Sequence, residues 1–149
     1  MDRSNLNKNE IEKAKQNGFV LTGRVGSGKT TLLNVIFDKE VGIVKRSAKI
    51  VTEKSSVYYC RLKNGNCISI IDTPGLIDND MIDNKEIDTI HLEEMLKVIS
   101  EQKINIKGIL FLTNFQNERF DADEQEALLK IHSVFPLKRF WINLYFQKL

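Results

Sequence analysis

A chain of 149 residues, 42% hydrophobic and 28% charged, can bury one core and has the make-up of a single domain. Lys and Arg number 22 against 20 Asp and Glu, and a formal charge of +2 gives no electrostatic case for nucleic acid or an anionic membrane as the main partner. The amino-terminal stretch MDRSNLNKNEIEKAKQNG is polar throughout. No apolar run approaches the roughly 18 residues of a membrane span, so no transmembrane segment is read and a cytoplasmic setting is expected.

Residues 1–17 read as a polar extension, helical from Asn9 to Asn17 and stopped by Gly18. Phe19–Thr22 begin the first core strand, and residues 28–37 follow as a helix carrying Leu32, Leu33, Ile36 and Phe37. The polar stretch Lys45–Ser56 reads as a long loop before a strand at Val57–Leu62. Asn64-Gly65 predicts a two-residue type I′ hairpin, which sets Leu62 opposite Cys67 and leaves Cys60 diagonal to Cys67. Diagonal neighbours stand about 7–8 Å apart, so two small buried thiols are expected rather than a disulfide. No His or second Cys pair completes a metal site with them. The partner strand CISII ends in Asp72, and TPGLIDNDMIDN is loop by composition. A helix is expected over about Lys85–Glu101, with Ile87, Ile90, Met95, Val98 and Ile99 along one side. GILFLTNF suits a buried strand, DADEQEALLKIHSVF a helix with Asp121 and Glu124 at capping-box-like spacing, and FWINLYF one more strand. The alternation predicts an α/β sandwich of three layers, its sheet mainly parallel with one antiparallel hairpin strand.

Gly23, Gly28, Lys29 and Thr30 satisfy G-x-x-x-x-G-K-[ST] between an expected strand and an expected helix, the setting that a phosphate-binding P-loop requires. Glycines allow the backbone of Gly23, Arg24, Val25, Gly26, Ser27 and Gly28 to wrap closely around phosphates, with inward amides continuing to Thr31. The helix start contributes the positive end of its dipole. Lys29 would bridge the β- and γ-phosphate oxygens, and Thr30 would offer its hydroxyl to Mg²⁺.

The second element is ISIIDTPG, residues 68–75. A buried strand ending in an aspartate, with glycine three residues later, is what a γ-phosphate sensor needs. Asp72 would hold the Mg²⁺ shell and the Gly75 amide would bond the γ-phosphate. Alone, DTPG is an ordinary turn. Its place at the end of a hairpin strand downstream of a P-loop gives it meaning.

Together these residues resemble the AIG-type (GIMAP/IAN) GTPases, P-loop G domains of Ras-like fold related to the septins and the chloroplast import receptor GTPases. The matching pieces are LTGRVGSGKTTLLNVI, SAKIVTEKSSVYY, ISIIDTPGL and GILFLTNFQNERFDADEQEALLKI, which together run from about Gly18 to Trp141. The resemblance implies a GTP/GDP-binding domain over residues 18–149 with Mg²⁺ as cofactor. It makes Thr52 the switch I threonine that closes over Mg²⁺ and the γ-phosphate, although Ser47, Ser55 and Ser56 stand close enough to serve instead. It also implies nucleotide-dependent homodimers, or heterodimers with a related G domain. Where Ras-like enzymes place a water-orienting glutamine, this chain has Leu76, so slow or partner-dependent hydrolysis is expected. Arg119 and Arg24 are the candidates for a basic side chain given across such an interface, a solvated surface arginine being the plain alternative for each.

The family's guanine-reading motif, T/N-K-x-D after a further strand, has no counterpart in FPLKRFWINLYFQKL. The expectation is a G domain incomplete at its carboxyl end. Two other readings stay open: a non-enzymatic dimerisation module built on a shortened G domain, and an ATP-binding P-loop protein.

Overall fold

The computed structural model describes residues 5–24, 26–37, 55–73, 84–113, 122–135 and 141–143. Its elements are α1 (Lys8–Lys15), β1 (Gly18–Gly23), α2 (Lys29–Phe37), β2 (Ser56–Arg61), β3 (Cys67–Asp72), α3 (Asn84–Gln102), β4 (Ile106–Leu112), α4 (Ala122–Val134) and β5 (Trp141–Asn143). They form one sheet in the order β2-β3-β1-β4-β5. β1 runs parallel to β3 and β4, β4 runs parallel to β5, and β2 is antiparallel to β3. The expected α/β sandwich with one antiparallel hairpin strand is therefore the observed fold.

The inner strands β1, β3 and β4 are buried almost end to end, as strands between two helical layers must be. Alternate residues feed two cores. Leu21, Ile70, Leu110 and Leu112 pack on Leu32, Leu33 and Phe37 of α2. Val20, Ile71, Ile109 and Phe111 face the other way, onto Met95 and Ile99 of α3 and Ala127 and Ile131 of α4. Each such aliphatic side chain contributes about 1.5–3 kcal/mol by leaving water. The chain leaving β1 thus crosses to one face of the sheet while that leaving β3 crosses to the other. Where successive connections part to opposite faces, sheets of this kind take ligands in a crevice, which is expected here at the carboxyl ends of β1 and β3.

Three expectations need correction. Ile90 is 55% exposed and off the core-facing stripe of α3. It sits five positions before Met95, about 140° around the helix, whereas Met95 and Ile99 share one side. Gly18 does not stop the first helix but opens β1, where a Cβ would collide with Ile104. The hairpin turn is Lys63-Asn64-Gly65, closed by Leu62 N–H donating to Asn66 O (2.8 Å) and Gly65 N–H donating to Leu62 O (2.9 Å). Only Gly65 of that loop takes a positive φ, at 84°, whereas a type I′ turn needs two such residues. Cys60 then lies opposite Ile68 and Arg61 opposite Cys67, which puts the two buried cysteines, not joined to each other, on opposite faces of the sheet.

The amino-terminal extension is bonded to the sheet. Asn7 and Glu10 form a reciprocal capping box at the start of α1. Ala14 is buried, and Glu10 accepts from the Arg61 guanidinium at 2.6 Å. Lys15 O accepts from Asn105 N–H (2.7 Å), and Asn17 O from Ser69 N–H (3.1 Å). These contacts lie at the amino ends of β1, β3 and β4, away from the crevice.

Candidate phosphate-binding site

Two strand ends flank the crevice. β1 finishes at Gly23, whose Cα approaches β4 so closely that a Cβ would collide with the Leu112 carbonyl. From there the chain turns back into α2, with Ser27 N–H donating to Arg24 O at 3.1 Å. Gly26 and Gly28 take φ of 80° and 97°, left-handed values that glycine adopts without steric cost. A Cβ at either would meet no atom within 4 Å. Leu32 N–H donates to Gly28 O at 2.9 Å, and Lys29 is the first residue of α2. The first amides of this helix have no intrahelical partner, and its dipole favours an anion there.

Lys29 reaches back over its own loop. Its Nζ donates to Gly23 O at 2.8 Å and to Arg24 O at 2.9 Å. β3 delivers Asp72 beside β1, in register with Leu21. Asp72 is 4% exposed and its Oδ1 has no hydrogen-bond partner among the described residues. Burial pushes its carboxyl up from 3.8 to about 6, and the nearby Lys29 cation pulls the other way. Thr73 fixes the chain's exit, since both its N–H (3.1 Å) and its hydroxyl (3.0 Å) donate to Leu21 O. Ser27 Oγ is also buried and without a partner among the described residues.

This arrangement fits a polyphosphate with a hard divalent cation. The start of α2 offers amides without intrahelical partners and the Lys29 ammonium, and next to it stands a buried carboxylate oxygen that a cation would satisfy, with the Thr30 hydroxyl on the first turn of α2. The structure gathers Gly23, Arg24, Gly26, Ser27, Gly28, Lys29, Thr30 and Thr31 into one loop and helix start, with Asp72 on the adjacent strand. Val25, Thr52, Gly75 and Arg119 lie outside the described residues, as does Leu76. Sequence reasoning missed Thr73 as the anchor of the segment after β3. Its place inside DTPG was the available signal. The bond from Thr113 Oγ1 to Glu124 Oε1 (2.7 Å) was missed too, because no spacing rule links a strand end to a side chain on the next helix.

The fold and this loop define a P-loop α/β domain. Within that class the chain belongs to the AIG1 family, which residues 17–142 match. Immune-associated nucleotide-binding protein 13 of Arabidopsis thaliana is 29% identical over 135 residues, covering 91% of this chain and 38% of the relative. GTP-binding protein A of Dictyostelium discoideum is 30% identical over 117 residues, or 77% of this chain and 24% of the relative. Among solved structures, Toc33 from Arabidopsis thaliana in complex with Mg²⁺ and GMPPNP superposes with a TM-score of 0.56 at 21% identity, over 86% of this chain and 48% of Toc33. A dimerization-deficient mutant of Toc33 gives 0.60 at 20% identity over the same shares. The chain spans less than half the length of each of these proteins.

Proposed function

We propose that this chain is a GTP-binding switch domain that grips Mg·GTP through the loop Gly23–Thr31, with hydrolysis slow or dependent on a partner. The observation that carries the reading is the juxtaposition at the crevice: a glycine loop whose lysine rests on its own carbonyls, beside a buried carboxylate with an unsatisfied oxygen. When a triphosphate enters, Lys29 exchanges those carbonyls for β- and γ-phosphate oxygens, and the amides of the loop and the first turn of α2 donate to the rest. Thr30 and Asp72, with Thr52 from switch I, would hold Mg²⁺, which supplies neutralisation of phosphate charge. Gly75 would sense the γ-phosphate through its amide. The guanine preference is supported by the AIG1 membership and by the name of the Dictyostelium relative.

In hydrolysis, water attacks the γ-phosphate in line and Lys29 takes up part of the developing charge. Leu76 carries no group that can orient that water, so the chain alone turns over slowly. A second G domain, the same chain or a relative, is the proposed partner, with Arg119 or Arg24 as the side chain meeting the transferred phosphoryl group. The dimerization recorded for Toc33 supports this partner class.

The test is a calorimetric titration of the purified chain with Mg·GTP, Mg·ATP and GDP. Binding of GTP and GDP with ATP at least tenfold weaker upholds the reading. Equal affinity for ATP and GTP would make it a general P-loop protein. Absence of heat with all three would leave an interaction module without nucleotide.

A further inference from the structure

Glu124 is fully buried on the core-facing side of α4, on the stripe of Ala127 and Ile131. An apolar residue would pack there without desolvating a charge, so a carboxylate in that place has to be matched by hydrogen bonds. Its Oε1 accepts the hydroxyl of Thr113 at 2.7 Å. Thr113 directly follows β4, and Glu124 lies on the first turn of α4. The bond therefore joins the two ends of the connection 114–121, which carries Arg119 in its sequence. One residue before Thr113, Leu112 is in register with Gly23, and its carbonyl is the wall against which the first glycine of the loop rests. A continuous run of contacts thus leads from α4 through Glu124, Thr113 and Leu112 to the loop.

We propose that the Thr113–Glu124 pair is a positioning element of the nucleotide site, pinning the carboxyl end of β4 so that Leu112 holds Gly23, and with it the loop, in the shape that receives phosphates. The proposal rests on reading that loop as the nucleotide site. Releasing the pair should leave the fold standing and loosen the loop, so that bound nucleotide escapes faster.

The experiment compares the full chain with Thr113→Val, with the double variant Thr113→Val/Glu124→Met, which strands no charge, and with Thr113→Ser, which keeps the hydroxyl. Thermal stability, the dissociation rate of a fluorescent GDP and amide hydrogen exchange over residues 23–28 are read on each. Expected are dissociation about tenfold faster in the first two variants, the loss of about one such hydrogen bond, faster exchange over 23–28, and wild-type values in Thr113→Ser. Dissociation within twofold of wild type in the double variant, whatever its melting temperature, would overturn the proposal and leave a packing role. Should the wild-type chain hold no nucleotide, the functional reading fails separately. Exchange then decides alone: faster exchange over 23–28 in the double variant upholds the coupling, and unchanged exchange refutes it.

Discussion

The Lys29 ammonium is 2.8 Å from the carbonyl oxygen of Gly23, so this cation closes its own loop. A second bond to Arg24 O at 2.9 Å completes the brace. Charge-assisted hydrogen bonds in a partly buried setting each contribute about 1.5–3 kcal/mol, less where solvent competes. Lys29→Met keeps the reach of the side chain and removes the charge. It should lower the stability of the nucleotide-free chain by about 1–2 kcal/mol in urea denaturation.

Asp72 gives a pH dependence. Its carboxyl is raised from 3.8 to about 6 by burial, so the native state holds the proton more tightly than the unfolded chain. This group's contribution is most favourable below about pH 4, declines as pH rises from about 4 to about 6, and is constant above. The decline amounts to about 3 kcal/mol at most. Asp72→Asn should flatten that interval and make the nucleotide-free chain more stable at pH 7.5, measured by urea denaturation from pH 4 to 8. The same variant should lose Mg²⁺-dependent binding.

Gly23 and Gly26 separate two uses of glycine in one loop. At Gly23 a Cβ meets the Leu112 carbonyl, part of a sheet that cannot give way, and Gly23→Ala should cost more than about 3 kcal/mol. At Gly26 the Cβ would meet nothing within 4 Å, so only the positive φ is felt, about 1–2 kcal/mol. Gly26→Ala should therefore remain folded yet bind nucleotide at least tenfold more weakly, because its methyl enters the space proposed for phosphate. Paired melting and binding curves check both.

Thr22 is completely buried and its hydroxyl oxygen has no hydrogen-bond partner among the described residues. A stranded hydroxyl in a strand interior costs about 1–3 kcal/mol. Thr22→Val removes it at nearly constant shape and should raise the melting temperature by about 3 °C.

The inner strands were legible because both their faces are buried, so FVLT, CISII and GILFL appear as short apolar runs. The loop was legible because phosphate chemistry dictates residue types at fixed spacing. The hairpin register was not: Asn64-Gly65 is compatible with two turn geometries, and one residue of slip moved Cys67 to the other face. Nor could the docking of α1 be read, since the bond from Arg61 to Glu10 links residues far apart in sequence whose neighbours carry no periodic signal. Thr113 and Glu124 escaped for the same reason. Ile90 misled because an isoleucine beside the core stripe is compositionally indistinguishable from one on it.

The most direct test is an equilibrium titration of a fluorescent GTP, in Mg²⁺, against the wild-type chain and Lys29→Ala at matched fold, checked by circular dichroism. Expected are micromolar or tighter binding to the wild type and a loss of about a hundredfold or more in the variant, the order of effect when a partly buried ammonium no longer meets a phosphate. Equal affinity in the two proteins would contradict the proposed function.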